Sequence, residues 1–254
     1  MCLIAFAHNV HPDYKLILVA NRDEFYGRPT RQAQFWIEED HPEILAGKDL
    51  EAGGTWMGIN KDGRWGALTN YRDPSWKRED PPSRGHLVLN YLSGNDSPQV
   101  YTGNLESSSD AYMGFNLLAG NGDQLFHYSN KSDVVTEVKP GIHGVSNALL
   151  DTAWPKLDTA KKDLEAIISS GDFKIEDLFG MLYNTETAPE SKLPDTGIPK
   201  EWENAVSSIF IKTENYGTRC STLLLIDNTD KVTFAERRYK TSDHSVIDTK
   251  HFNF

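Results

Sequence analysis

The chain has 254 residues, 38% hydrophobic and 11% aromatic, enough for one domain over residues 1–254 whose core needs no disulfide or metal staple. Its 26 Lys and Arg against 37 Asp and Glu leave a net charge of −11, which argues against nucleic-acid binding and against adsorption to anionic membranes. No apolar run approaches the roughly 20 residues of a membrane helix. Leu3–Ala7 is too short and lacks the leading basic residues of a signal peptide. A cytoplasmic protein is therefore expected, with Cys2 and Cys220 as free thiols.

In chain order, Leu3–Ala7 and Lys15–Ala20 read as strands joined through His11-Pro12-Asp13. "TWMGIN" and "RWGALTN" form a hairpin around Lys61-Asp62-Gly63, a strong turn signal. Leu87, Val88, Tyr91 and Leu92 mark a short helix. "YMGFNLLAG" and "QLFHYSN" form another hairpin around Asn121-Gly122-Asp123. Leu157, Ala160, Leu164, Ile167 and Ile168 mark a second helix, opened by Pro155 and closed by Gly171. Ile175, Leu178, Phe179 and Leu182 mark a third. "TAPESKLPDTGIPK" is expected as a surface loop. "SSIFIKT", "GTRCSTLLLID" and "KVTFAERRY" read as a last set of strands, turning at Asn228-Thr229-Asp230. Successive hairpins predict antiparallel sheets, and helices between them predict α+β layers.

Several signals lead nowhere. None of the eight histidines has metal-site spacing, so no metal and no cofactor is expected. Gly53-Gly54 leads into a strand, not a helix, and so makes no phosphate cradle; it reads as a bulge or a close backbone approach. There is no G-x-S-x-G elbow.

Position two carries chemistry. Aminopeptidases remove an initiator methionine that precedes a small side chain, which would give Cys2 both a thiol and a free α-amine. The amine, with a pKa of about 7.7–8.0, is matched to taking the proton of a thiol with a pKa of about 8.5. A free cysteine also serves as a small buried hydrophobe. "NRDE", Asn21–Glu24, follows an apolar run, and pairing of the first two strands places it near the N-terminus. Asp23 then accepts from the Cys2 amine and Arg22 favours the thiolate, or else the tetrad is a charged strand end with its own ion pair.

"MCLIAF", "LILVANRDEFYGRP" and "LAGKDLEAGGTWMGINKDGRWGALTNYR", with the later "GIHGVSNALLDTAWPK" and "YGTRCSTLLLID", resemble the NRDE family, which includes the transport and Golgi organisation protein 2 group. In layout the chain is also similar to N-terminal-nucleophile hydrolases of the choloylglycine hydrolase and penicillin V acylase type. That resemblance implies a four-layer αββα sandwich of two antiparallel sheets flanked by helices. It also implies Cys2 as nucleophile, Asp23 holding the amine, Arg22 beside the thiolate, Asn70 and Asn147 near the oxyanion, and Arg219 completing the charge network. Those hydrolases separate the arginine and aspartate, whereas here they are adjacent. Adjacent strand residues face opposite ways, so Asn21 or Glu24 can fill one of the roles. Asn21, Glu24, Trp56 and Tyr71 are candidate substrate contacts.

The expected function is cleavage of a non-peptide amide or acyl bond of a small molecule. The alternative is a non-catalytic carrier or chaperone of a hydrophobic ligand, haem or acyl-lipid, in the same pocket. Substrate identity and a homo-oligomeric state stay open.

Overall fold

The computed structural model describes residues 2–254. It contains two antiparallel sheets with helices on their outer faces. The first sheet has the order β10(Gly141–Val145), β1(Cys2–His8), β2(Tyr14–Phe25), β11(Tyr216–Asp227), β12(Val232–Tyr239), β13(Val246–Asn253). The second runs in sequence through β3(Thr30–Trp36), β4(His41–Asp49), β5(Met57–Asn60), β6(Trp65–Asn70), β7(Phe115–Gly120), β8(Leu125–Ser129) and β9(Val134–Glu137).

Side-chain alternation sorts the apolar residues into layers. Ile4 and Phe6 of β1 and Leu18 of β2 meet Leu45, Ile59 and Trp65 of the second sheet, forming the central core. Leu3, Ala5, Ile17 and Val19, pointing the other way, pack on α3(Pro155–Ile168) and α4(Ile175–Leu182). On the far side, α1(Gly85–Ser93) and α2(Pro98–Leu105) cover the second sheet through Val88, Tyr91 and Leu105 against Leu117 and Tyr128. The layers are thus α–β–β–α, the sandwich expected from the sequence. Burial on both faces explains why "LIAFA" and "LILVA" read as continuous apolar runs without polar alternation.

Two differences from the sequence reading matter for the site. The second strand does not stop at Ala20: β2 runs to Phe25, so "NRDE" lies inside it. β11 supports that extension, pairing Thr218 with Asp23 and Cys220 with Arg22 and leaving Arg219 as a bulge. "SSIFIKT" is not a strand and makes only the Lys212–Gly217 bridge. Its buried amides are satisfied elsewhere, Phe210 by the Asn184 carbonyl and Ile211 by Thr218 Oγ1. The proline-rich segment ends in α5(Lys200–Ala205), whose Glu203 forms a buried ion pair with Arg72 at 2.5 Å. Among the described residues no helix is long and apolar enough to cross a membrane.

Candidate functional site

The register Cys2↔Arg22↔Cys220 puts two thiols and a guanidinium in one row across β1, β2 and β11, on the face toward the second sheet. The thiols differ in surroundings. Cys220 is buried, and burial drives its pKa well above the usual thiol range. Cys2 is half-buried and lines a cavity of about 330 Å³ between the sheets. Burial raises its pKa too, and so does the Asp23 charge, while a hydrogen bond from the Asp23 backbone amide and the Arg22 charge oppose them. A thiol held in the neutral form needs a base before it can attack. Met1, whose removal would free the amine of Cys2, lies outside the described residues.

Arg22 bridges the two sheets. Its Nη1 donates to Thr30 Oγ1 at 3.1 Å, its Nη2 lies 3.7 Å from Asp49 and 4.0 Å from Glu24, and its guanidinium sits 4.3 Å from the Trp56 ring centroid. Asp23, one residue on, faces the opposite way, toward the helices. Its Oδ1 accepts from Thr218 Oγ1 at 2.7 Å and its backbone carbonyl from Tyr216 Oη at 3.0 Å. Burial lifts its carboxyl to about 6, against the pull of Lys156. Lys156, in the first turn of α3, is itself buried; desolvation lowers it to about 8 despite Asp23, and its Nζ donates to the Val206 carbonyl at 3.1 Å. The adjacent arginine and aspartate of "NRDE" thus work on opposite faces of one strand, joined at Cys2 by the Asp23 amide.

Of the other candidates, Glu24, Trp56 and Asn70 line the cavity with Cys2, Arg22 and Asp23, whereas Asn21, Tyr71, Asn147 and Arg219 do not. Asn21 is a structural clamp: Nδ2 donates to the carbonyls of Leu182 and Ile209 at 2.8 and 2.9 Å, satisfying the C-terminal end of α4. Its Oδ1 accepts from Ser221 Oγ. Asn147 stands behind the wall, donating through Nδ2 to the Asn70 carbonyl at 2.9 Å. Its neighbour Ser146 donates to the Cys2 carbonyl at 2.9 Å. Arg219 donates to the carbonyls of Phe25 and Arg28 at 2.9 and 3.0 Å, fixing the turn that presents Arg28. Tyr71 packs against Gly114 and under Lys131.

Four charged residues that the sequence reading passed over belong here. Arg28, Asp49 and Arg84 line the cavity, and Lys156 faces Asp23. Lys156 carried a readable signal, because it lies four residues before Ala160 on the apolar stripe of its helix, where a lysine must find a buried partner. Arg28, Asp49 and Arg84 come from turns and a strand end with no local pattern.

A family model described as Transport and Golgi organisation 2 matches residues 1–241. The Transport and Golgi organization 2 homolog of Mus musculus is 36% identical over 275 residues, covering 100% of this chain and 99% of the relative. The Transport and Golgi organization protein 2 of Drosophila melanogaster is 30% identical over 261 residues, covering 93% of this chain and 91% of that protein. Among solved structures, the C2A mutant of a conjugated bile acid hydrolase from Clostridium perfringens shares the fold at a TM-score of 0.54 and 8% identity, with 100% of this chain and 97% of that chain covered.

Proposed function

The chain belongs to the Transport and Golgi organisation 2 family, and from that premise we propose that it is an N-terminal-nucleophile amidohydrolase acting on a non-peptide amide or related acyl bond. The observation that carries this reading is the position of Cys2, at the start of β1 and in the wall of the cavity, with the Asp23 amide on its sulfur. Once Met1 is removed, the α-amine takes the thiol proton and the thiolate attacks the substrate carbonyl. Asn70 faces the same cavity and supplies a donor toward the oxyanion. Collapse breaks the C–N bond, the departing amine takes the proton back from the α-ammonium, and a thioester remains. Water, deprotonated by the same amine, then releases the acid and restores the thiol.

Asp23 and Lys156 set the charge around the amine from the helix side. The alternative, a carrier of haem or acyl-lipid in the same cavity, needs no thiol chemistry and leaves the placement of Cys2 in the wall without a role. Intact mass spectrometry with a thiol-reactive lactam or activated amide tests the proposal. The expected result is loss of Met1 and an acyl adduct mapped to Cys2, absent from a folded Cys2→Ala variant. Retained Met1, or no adduct with Met1 absent, refutes it.

A further inference from the structure

On the reading that Cys2 is the nucleophile, we infer that its cavity takes an anionic substrate and that Arg84 is the specificity residue that recognises the substrate's carboxylate. The cavity draws three arginines together in a chain that is otherwise acidic, and two of them are already matched. Arg28 lies 2.7 Å from Asp49 and 3.0 Å from Glu51. Arg22 shares Asp49 and Glu24 and stacks on Trp56. Arg84 has no carboxylate within 4.0 Å among the described residues; its hydrogen bond is to a backbone carbonyl, from Nη1 to Gly114 at 2.9 Å. That bond fixes the guanidinium and leaves its Nε and Nη2 edge for the paired contact a carboxylate makes.

The wall around Arg84 points the same way. Ser83, Arg84 and Gly85 line the cavity at the start of α1, whose first turn holds no acidic residue and whose N-cap, Arg84 itself, makes no side-chain capping bond. The positive end of that helix therefore adds to the Arg84 field. Gly54 packs so closely on Gly85 that a Cβ there would lie 2.5 Å from the Gly85 carbonyl carbon, so no side chain fits between the two backbones of this wall. Burial lowers the Arg84 pKa, and the charges of a Cys2 thiolate and of Glu24 oppose that lowering, which places the three groups in one electrostatic environment. A neutral amide would leave Arg84 desolvated with no carboxylate in contact, whereas a carboxylate near the scissile bond supplies that contact.

Alkylation of Cys2 by iodoacetate and by iodoacetamide separates recognition of charge from reactivity of the thiol. In the wild type, iodoacetate is expected to gain on iodoacetamide relative to a simple free thiol. Arg84→Gln is expected to slow iodoacetate by about tenfold and iodoacetamide by less than about twofold, with Arg84→Lys intermediate. Equal slowing of both probes would make Arg84 a thiolate stabiliser and overturn the inference while sparing the nucleophile. If neither probe labels Cys2 faster than a simple thiol, the nucleophile reading fails, and this inference with it. A measurement on the wild type needs no variant: hexanoate should protect Cys2 from iodoacetamide at about tenfold lower concentration than hexanamide, and equal protection also overturns the inference.

Discussion

Asp23→Asn should make the protein more stable and inactive together. Asp23 is buried, and its carboxyl is displaced from an ordinary 3.8 to about 6. At 1.36 kcal/mol per pKa unit, ionised Asp23 costs the fold about 3 kcal/mol. The sign follows from proton binding: between pH 3.8 and about 6 the native state holds the Asp23 proton and the unfolded chain has released it, so stability falls as pH rises through that window. The penalty is complete above about pH 6. Asparagine keeps the shape and an acceptor for Thr218 Oγ1, and removes the charge. At about 2–4 °C per kcal/mol for a chain of this size, Asp23→Asn should melt up to about 10 °C higher at pH 7. The gap should shrink toward zero as the pH is lowered to 4, while acylation of Cys2 drops by roughly 100-fold or more. Thermal melting of both proteins from pH 4 to 8, with adduct formation followed by mass, measures both effects. A variant less stable than wild type at pH 7, or a gap that does not change with pH, would refute the reasoning.

Two further predictions concern the same surroundings. Lys156, lowered to about 8, binds its proton less tightly in the native state than in the unfolded chain, so wild-type stability should rise between pH 8 and 10; in Lys156→Met urea denaturation should show that slope gone. Gly54→Ala forces a Cβ against the Gly85 backbone, and should lower stability by about 1–3 kcal/mol in denaturant titration and disturb Cys2 labelling in step.

The fold was legible where local chemistry decides it. Asn121 Oδ1 accepts from the amides of Asp123 and Gln124, and Asp227 Oδ1 from those of Thr229 and Lys231, so these turns close through their own side chains at the positions read from the sequence. The β3–β4 hairpin gave no such signal; its register shifts at Arg31/Gln34 and Phe35/Trp36, which breaks the alternation a strand shows in sequence. α2 escaped because its apolar face is weak, although Ser97 accepting from the Val100 amide ahead of Pro98 is a capping signature. At the site, Cys2, Arg22 and Asp23 were readable as neighbours because pairing of the first two strands brings them together, whereas Asn70, on the other sheet, came from the resemblance alone. Arg84 was not, because only the packing of α1 on the second sheet delivers it to a cavity more than eighty positions from Cys2 in the chain.

Cys2 is bounded by two chemistries on opposite sides of β2. Trp56, Glu24, Arg28 and Arg84 line the cavity between the sheets, while the Asp23 carboxyl, although Asp23 also lines the cavity, is bound by Thr218 and answers to Lys156 on the helix layer. On the proposed reading, β2 therefore separates groups that meet the substrate from groups that set proton affinity. On that reading, changes at residues 81–84 act first on which molecule is admitted, and changes at Lys156 act first on the working pH. A scaffold that divides these tasks between two faces of one strand lets a change of substrate begin in the wall and a change of working pH begin on a helix.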